Sequence, residues 1–159
     1  MLTATKGGKI DISEEKDTKS VAEKFSKLIK QGDFILLSGD LGVGKTTFVK
    51  YLINSLQKAN KEKKSEVTSP TFTVINEYQI KKILIKHYDL YRIKNKKELN
   101  NLGIQENLKG QITLVEWPEI VKTIKIKNSI NLIFKYEKNY TERYISIISE
   151  NKKFLNEFK

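Results

Sequence analysis

The spacing of apolar residues predicts alternating helices and strands in the first half of the chain. In residues 17–30 apolar side chains recur every three or four positions, which indicates the buried face of an amphipathic helix. Residues 33–38 form a short, continuous apolar run, which is typical of a strand buried on both faces. The helical spacing returns in residues 46–57, so the chain begins with the order helix, strand, helix.

The second half contains shorter apolar segments separated by turn residues. Residues 71–78 and 83–89 are expected to form a pair of strands, with Lys81 and Lys82 at the turn between them. A short helix capped by Asn95 follows. The remaining predicted strands are residues 111–116, 130–136 and 143–149.

This mixture of elements, with an early strand–loop–helix unit, predicts a three-layer α/β domain built on a mixed, partly parallel sheet. The length of 159 residues is that of one ordinary domain. We therefore expect a single domain over residues 1–159, with its core at residues 17–149 and short terminal segments outside the core.

Composition restricts the classes of protein to which the chain can belong. It contains no cysteine, which excludes disulfides and thiolate metal sites. No stretch approaches the roughly 20 consecutive apolar residues that a membrane span needs, and residues 1–10 lack the apolar region of a secretory signal. We therefore expect a cytoplasmic protein without a membrane partner.

The chain is strongly basic, with a formal net charge of +11. Such a charge attracts polyanions, so nucleic acid or an acidic partner has to be considered. Of the 30 basic residues only Arg92 and Arg143 are arginines, which disfavours sequence-specific reading of nucleic acid because arginine is the usual residue for base-edge contacts. A nucleotide bias in the coding DNA would produce the same lysine excess without any function.

Residues 39–46 read GDLGVGKT and match the phosphate-loop (P-loop) pattern G-x-x-x-x-G-K-[ST] at every fixed position. Glycines allow successive backbone N–H groups to point at one anion, and the following helix offers its free N-terminal N–H groups to the same anion. Lys45 supplies a charge for the β and γ phosphates, and the Thr46 hydroxyl supplies an oxygen ligand for magnesium. We therefore expect a site for ATP or ADP with Mg²⁺.

Two carboxylates end predicted strands and are candidates for the rest of a catalytic site that includes Lys45. Glu116 and Asp89 are expected at the carboxyl edge of the sheet, where ligands of open α/β sheets bind. P-loop enzymes use such groups to hold magnesium and to orient the attacking nucleophile. We assign Glu116 to magnesium and Asp89 to positioning or deprotonating the attacking water, although the reverse assignment stays open.

Three further features have both a structural and a functional interpretation. The hydroxyl-rich loop at residues 68–71 is either a turn before a strand, the simpler interpretation, or a switch that senses the γ-phosphate. His87, the only histidine, is interpreted as structural because one histidine without cysteines cannot form a zinc site. Trp117 is interpreted as a packing residue, with contact to a ligand or a partner as the alternative.

Several segments, taken in order, resemble the TsaE (YjeE) family of bacterial ATPases. Two of them, HYDLYRI at residues 87–93 and LVEWPE at residues 114–119, are absent from P-loop enzymes in general and are the most specific. The other matching segments are GDLGVGKTTFVK at residues 39–50, VTSPTFTVINEY at residues 67–78 and ELNNLGIQENL at residues 98–108. The resemblance extends over residues 17–143, which is most of the chain.

This resemblance implies a P-loop α/β fold and slow ATP hydrolysis by the isolated protein. It also implies binding to the complex of the TsaD and TsaB subunits, which transfers a threonylcarbamoyl group to adenosine 37 of tRNA. ATP hydrolysis would reset that complex between turnovers, and tRNA itself would be contacted indirectly or weakly.

By position, the resemblance assigns Thr46 and Glu116 to magnesium and Asp89 to hydrolysis. Thr18 and Arg143 correspond to positions near the base and the sugar. The residues that correspond to the family's switch segment are Thr68, Ser69 and Thr71. The residues that correspond to its phosphate contacts are Gly42, Val43, Gly44, Lys45, Thr46 and Thr47. The resemblance thus favours the functional interpretation of the hydroxyl-rich loop.

Three other functions would use the same loop. A small-molecule or nucleoside kinase usually needs arginines to clamp the transferred phosphoryl group, and the chain has only two. A regulatory GTPase needs a guanine-reading N-K-x-D motif after a strand, whereas residues 95–98 read NKKE and begin a predicted helix. A nucleotide-sensing module with incidental hydrolysis overlaps with the ATPase function and stays open.

Overall fold

The computed structural model describes residues 9–158, apart from the side chain of Lys153. The strands are β1 (Ile10–Asp11), β2 (Phe34–Ser38), β3 (Ile75–Ile80), β4 (Ile83–Asp89), β5 (Gln111–Glu116), β6 (Ser129–Glu137) and β7 (Glu142–Ile148). The helices are α1 (Glu15–Ser26), α2 (Lys45–Ala59), α3 (Lys96–Asn101) and α4 (Lys152–Asn156), with 3-10 segments at Leu108–Gly110 and Pro118–Thr123. None of the helices within residues 9–158 has the length and hydropathy of a membrane span.

The strands form one mixed sheet in the order β1-β7-β6-β2-β5-β4-β3. β2 pairs in parallel with both β5 and β6, and β4 pairs in parallel with β5. The register aligns Asp89 with Glu116, and Glu116 with Leu37 of β2. The two acids that end β4 and β5 are therefore neighbours at the edge where β2 ends, and the predicted mixed, partly parallel sheet is confirmed.

Alternate residues of the central strands are buried on opposite faces of the sheet. Ile35 and Leu37 of β2 lie in the larger apolar cluster together with residues of α1, α2 and α4. Phe34 and Leu36 lie in a smaller cluster with α3 and the 3-10 segment Pro118–Thr123. Burial of these apolar side chains holds the helices against the sheet, which gives the three-layer arrangement that the sequence predicts.

Most predicted elements are present, and the ends of α1 and α2 differ from prediction by at most four residues. The side chain of Asn95 caps α3 as expected, accepting a hydrogen bond from the Glu98 N–H at 2.9 Å. The strand predicted at residues 71–78 is wrong in its first half, since β3 begins only at Ile75. There Val74 has a φ of 68° and its N–H donates to the Pro70 carbonyl, so the chain turns before the strand.

The core extends beyond its predicted limits of residues 17–149. Strand β1 pairs with β7, and helix α4 follows it at the other end of the chain. The Phe154 ring packs edge-on against Phe25 of α1 with 5.0 Å between the ring centroids. Ile12, Leu155 and Phe158 are buried as well, so both terminal regions contribute to the larger apolar cluster.

Candidate functional site

A cavity of about 320 Å³ lies at the edge of the sheet where β2, β4 and β5 end. It is formed by the loop at residues 39–44, the first turn of α2, and residues that follow the strands. The lining residues are Leu41, Gly42, Gly44, Lys45, Thr46, Thr47, Ser69, Thr71, Asp89, Tyr91, Glu116, Trp117 and Arg143. The fold thus brings the P-loop, both strand-end acids and part of the hydroxyl-rich loop together.

The path of the loop at residues 39–44 depends on glycine at its two ends. A Cβ atom added to Gly39 would lie 2.6 Å from the carbonyl oxygen of Phe134, a distance that real Cβ atoms essentially never show. Gly44 precedes α2 with a φ of 115°, a left-handed conformation that favours glycine. The loop therefore turns directly into α2, whose first N–H groups have no partner within the helix.

Lys45 lies in the wall of this cavity and is only 4% exposed. Its Nζ atom donates hydrogen bonds to the carbonyl oxygens of Gly39 and Asp40, the second at 2.8 Å. The same atom lies 3.9 Å from the centroid of the Trp117 ring. Burial lowers the pKa of the Lys45 amino group, and nearby carboxylates, Glu116 first among them, oppose that shift. The amino group is thus held by backbone carbonyls and one aromatic face.

Thr46 and Glu116 meet beside Lys45. The Thr46 hydroxyl oxygen lies 2.9 and 3.0 Å from the two carboxylate oxygens of Glu116, which is itself 2% exposed. On the neighbouring strand β4, the Nε2 atom of His87 lies 2.8 Å from Oε1 of Glu116. The Glu116 carboxylate therefore contacts a hydroxyl at the cavity on one side and a buried imidazole on the other.

His87 is fully buried, and its Nδ1 atom has no hydrogen-bond partner among residues 9–158. A carboxylate can only accept hydrogen bonds, so the form of the ring that fits the contact with Glu116 carries a proton on Nε2. In that form His87 donates to Glu116. The structural role predicted for His87 thus includes orienting an acid of the site, which the sequence did not reveal.

Asp89 has both carboxylate oxygens held by hydrogen bonds. Its Oδ2 atom accepts from the hydroxyls of Ser69 at 2.6 Å and Thr71 at 3.2 Å. Its Oδ1 atom accepts from the backbone N–H of Tyr91 at 3.0 Å. The two hydroxyls are themselves 3.0 Å apart, so the acid and the hydroxyl-rich loop form one hydrogen-bonded group at the cavity.

Three of the predicted site residues do not line the cavity. Thr68 is exposed, Thr18 is buried on the inner side of α1, and the Val43 side chain is buried in the core. Arg143 does line the cavity, and its guanidinium donates a hydrogen bond to the carbonyl oxygen of Ser13 at 2.8 Å. The nucleotide contacts assigned to Thr18 and Arg143 stay predictions.

Three side chains at the cavity are not among the predicted site residues. Trp117 has a φ of 55°, which turns its ring over Lys45 and against the Tyr91 ring, with 4.8 Å between the ring centroids. Tyr91 and Leu41 are 53% and 78% exposed. Trp117 therefore lines the cavity, and its contact with a ligand stays a prediction; its position directly after a strand-end acid was the available signal.

The match to a family model is consistent with this arrangement. The model described as threonylcarbamoyl adenosine biosynthesis protein TsaE matches residues 12–145, a range that includes the P-loop and both strand-end acids. The chain belongs to the TsaE family. The resemblance noted in the sequence is therefore confirmed.

TsaE relatives cover most of the chain. The tRNA threonylcarbamoyladenosine biosynthesis protein TsaE of Rickettsia prowazekii is 39% identical over 147 residues, covering 92% of this chain and 97% of the relative. The protein of the same name from Aquifex aeolicus is 38% identical over 122 residues, covering 77% and 85%. A crystal structure of YdiB from Bacillus subtilis is similar with a TM-score of 0.71 and 27% identity, covering 94% of this chain and 89% of that one.

Proposed function

We propose that this TsaE-family chain is a Mg²⁺-dependent ATPase that binds the TsaB–TsaD complex and resets it during threonylcarbamoyl transfer to adenosine 37 of tRNA. Its part in tRNA threonylcarbamoyladenosine biosynthesis follows from the family to which it belongs. The observation that most strongly supports an ATPase is the convergence of Lys45, Thr46, Asp89 and Glu116 on one cavity beside the P-loop.

The loop and the first turn of α2 would bind the phosphates of ATP. N–H groups at a helix N-terminus have no partner within the helix and carry the positive end of the helix dipole, so they favour anions. Lys45 would exchange its hydrogen bonds to the carbonyl oxygens of Gly39 and Asp40 for bonds to phosphate oxygens. That exchange is favourable because charge-assisted hydrogen bonds to phosphate are stronger than those to a neutral carbonyl.

Thr46 and Glu116 are the residues that would hold Mg²⁺. Both offer oxygen atoms, the ligands that magnesium prefers, and those atoms are within 3.0 Å of each other at the cavity. Residues 9–158 contain no cluster of three or more His, Cys, Asp or Glu side chains that could hold a metal ion. The pair Thr46 and Glu116 fits magnesium in a nucleotide site, where phosphates and water complete the coordination. The ion would supply positive charge at the phosphate oxygens.

His87 is expected to strengthen magnesium binding through its hydrogen bond to Glu116. Removal of the buried partner of a metal ligand typically lowers metal affinity by about 10- to 100-fold, so His87→Leu should weaken Mg²⁺ binding in the presence of ADP by about tenfold. His87→Gln, whose side-chain amide can still donate to Glu116, should recover most of that loss. Mn²⁺ titration followed by electron paramagnetic resonance, with ADP present, measures the effect. Equal affinities of the Leu and Gln variants would show that His87 only fills space.

Asp89 would orient or deprotonate the water that attacks the γ-phosphate. Its carboxylate is already fixed by the hydroxyls of Ser69 and Thr71 and by the Tyr91 N–H, and a fixed acceptor can hold the attacking water in position. The loop that carries both hydroxyls also carries Phe72, which is 87% exposed. The hydrogen bonds of Asp89 and this exposed apolar side chain thus belong to the same loop.

The proposed function is tested by measuring ATP hydrolysis with and without the cognate TsaB–TsaD complex. We expect the complex to raise the hydrolysis rate by at least about tenfold, because a partner that completes the site supplies part of the barrier reduction. An Asp89→Asn variant serves as the control and should show no stimulated rate. An unchanged rate with a complex that modifies tRNA when all components are present would contradict the assigned role.

A further inference from the structure

The end of the molecule opposite the cavity is much more basic than the end that contains it. At the edge where the parallel strands begin, the connections hold ten lysines and five acidic residues, a net charge of +5 in 33 residues. We call this surface the basic end; its connections are residues 27–33, 60–66, 81–82, 102–110, 124–128 and 149–151. Ser65 belongs to it because its backbone N–H and its hydroxyl are hydrogen-bonded to Gln57 near the end of α2. The connections at the cavity edge hold three basic and two acidic residues, a net charge of +1. These are residues 12–14, 39–44, 67–74, 90–95, 117 and 138–141.

Hydrogen bonds join the connections of the basic end into one continuous surface. The backbone N–H of Lys81 donates to the Glu62 carboxylate at 2.9 Å. The Gln31 side chain donates to the carbonyl oxygen of Lys82 at 2.6 Å. The Gly32 N–H donates to the carbonyl oxygen of Gln111, the first residue of β5. Residues 125–128 and 149–150 line one common cavity, and residues of the 27–33 connection line another together with Phe154 of α4. The lysines therefore lie on neighbouring segments.

The lysines of the basic end are exposed, and their amino groups form no close ion pairs with carboxylates of residues 9–158. Among residues 9–158, none of their amino groups lies within 4 Å of an acidic side chain, whereas the amino groups of Lys86 and Lys138 do. The ten exposed lysines are Lys27, Lys30, Lys61, Lys63, Lys64, Lys81, Lys82, Lys109, Lys125 and Lys127.

Two simpler causes do not account for this clustering. A nucleotide bias in the coding DNA would add lysines without regard to the end of the molecule on which they fall. Cations at helix C-termini are favoured by the helix dipole, which explains the lysines that follow α1 and α2. It does not explain Lys81 and Lys82, which lie in a turn between two strands, or Lys125 and Lys127, which precede β6.

We infer that the basic end binds the phosphate backbone of base-paired RNA. Lysines that face solvent without partners suit contacts with phosphates, which are independent of sequence, and both arginines of the chain, Arg92 and Arg143, lie towards the cavity edge. The choice of RNA among polyanions rests on the proposed function in tRNA modification. The binding itself requires no nucleotide in the cavity.

The positions of exposed apolar side chains favour base-paired RNA over other polyanions. In the described part of the chain, the large exposed apolar residues all belong to connections of the cavity edge; they are Leu41, Phe72, Tyr91 and Tyr140. The basic end therefore presents no aromatic platform on which single-stranded bases could stack. Within residues 9–158 it also presents no large, exposed apolar side chain of the kind that enters a bilayer beside anionic headgroups.

The two ends are separated by the length of the central strands, about 20 Å for six residues. RNA bound at the basic end would therefore leave the cavity edge free. The chain could contact RNA at one end while its exposed apolar side chains at the other end contact a protein partner.

Fluorescence anisotropy with a labelled 20-base-pair RNA duplex tests this inference, using the full chain without nucleotide at 50 to 200 mM KCl. The test variant replaces Lys61, Lys63, Lys64, Lys81 and Lys82 by Gln. The matched control replaces the same number of exposed lysines elsewhere that also lie more than 4 Å from any acidic side chain among residues 9–158, namely Lys50, Lys94, Lys96, Lys97 and Lys135. Because the two variants have equal net charge, they differ only in the position of the lost charges.

We expect the test variant to bind the duplex at least about tenfold more weakly at 100 mM KCl, with a shallower salt dependence because fewer counterions are released. The control should bind within about twofold of the unsubstituted chain. Equal weakening of both variants would overturn the inference in favour of diffuse charge. Absence of RNA binding at 50 mM KCl, or binding to vesicles of anionic phospholipid without binding to RNA, would also overturn it.

Two further measurements separate this inference from the proposed ATPase. Both variants should keep the ATP affinity of the unsubstituted chain in calorimetry, and Lys45→Ala should keep its RNA affinity. Circular dichroism checks that each variant is folded. If the five-residue variant does not fold, a smaller pair of variants gives the same comparison. The test variant then replaces Lys61, Lys63 and Lys64 by Gln, and the control replaces Lys94, Lys96 and Lys97. We expect the smaller test variant to lose about threefold in affinity for the duplex.

Discussion

Replacement of Lys45 by alanine is expected to abolish ATP binding. The Lys45 amino group is a buried cation in the cavity wall, held by the carbonyl oxygens of Gly39 and Asp40 beneath the Trp117 ring. Two charge-assisted hydrogen bonds to phosphate, at about 1.5–3 kcal/mol each, correspond to a loss of at least about 100-fold in affinity. Titration of the variant with ATP and Mg²⁺ in a calorimeter measures this loss directly.

Lys50 on the same helix is the matched control. It is exposed on α2, five residues further along, and lies 5.8 Å from the centroid of the Tyr51 ring outside the cavity. Lys50→Ala also removes one positive charge from α2, but at a position outside the cavity. It should leave the ATP affinity within about twofold of that of the unsubstituted chain. If Lys45→Ala bound ATP as tightly as Lys50→Ala, the amino group in the cavity would have no part in binding phosphates.

The second large effect is expected for Asp89→Asn, which should bind ATP normally and lose hydrolysis. The amide keeps the shape of the carboxylate and can still meet the hydroxyls of Ser69 and Thr71, but it can neither take a proton nor carry the negative charge. Loss of a general base typically lowers the rate by about 10²- to 10⁴-fold. Single-turnover release of phosphate at saturating ATP should therefore fall by at least about 100-fold, with the ATP affinity changed less than about threefold.

Glu116→Gln distinguishes the two acids. The contact between Glu116 and the Thr46 hydroxyl favours Glu116 as the magnesium ligand, so its variant should require a higher Mg²⁺ concentration for half-maximal hydrolysis. Asp89→Asn should leave that concentration unchanged. A shift in magnesium requirement for Asp89→Asn, with none for Glu116→Gln, would reverse the two assignments.

Local hydrophobic patterns predicted the strands whose side chains are buried in the interior of the domain. The strands expected at residues 83–89 and 111–116 have the same bounds in the structure. A continuous apolar run is a direct indication of a buried strand. The two runs end at Asp89 and Glu116, the two acids that line the cavity. The P-loop was equally predictable because its glycines are required by the backbone itself, as the close approach of Gly39 to Phe134 illustrates.

Features that depend on distant parts of the chain could not be predicted in this way. Strand β1 has only two residues and exists because Ile10 pairs with Ile145. Val74 is a β-branched residue that reads locally as part of a strand. Its left-handed backbone is stabilised by packing against the smaller apolar cluster and by the hydrogen bond from the Asp89 N–H to its carbonyl oxygen.

The same limit applies within the candidate site. The sequence predicted Asp89 and Glu116 as separate strand-end acids, but the contact between His87 and Glu116 depends on the register between β4 and β5. The ring of Trp117 reaches Lys45 only because the backbone turns immediately after β5. Register and turn geometry are set by tertiary packing, and no spacing within either motif encodes them.

A crystal structure of the chain with Mg²⁺ and a non-hydrolysable ATP analogue is the most direct test of phosphate binding by the P-loop. We predict the β-phosphate within hydrogen-bond distance of the N–H groups that begin α2 and of the Lys45 amino group, and magnesium held by Thr46 and Glu116. An analogue bound away from the loop at residues 39–44, or a loop that opens so that those N–H groups point into solvent, would contradict the ATPase proposal.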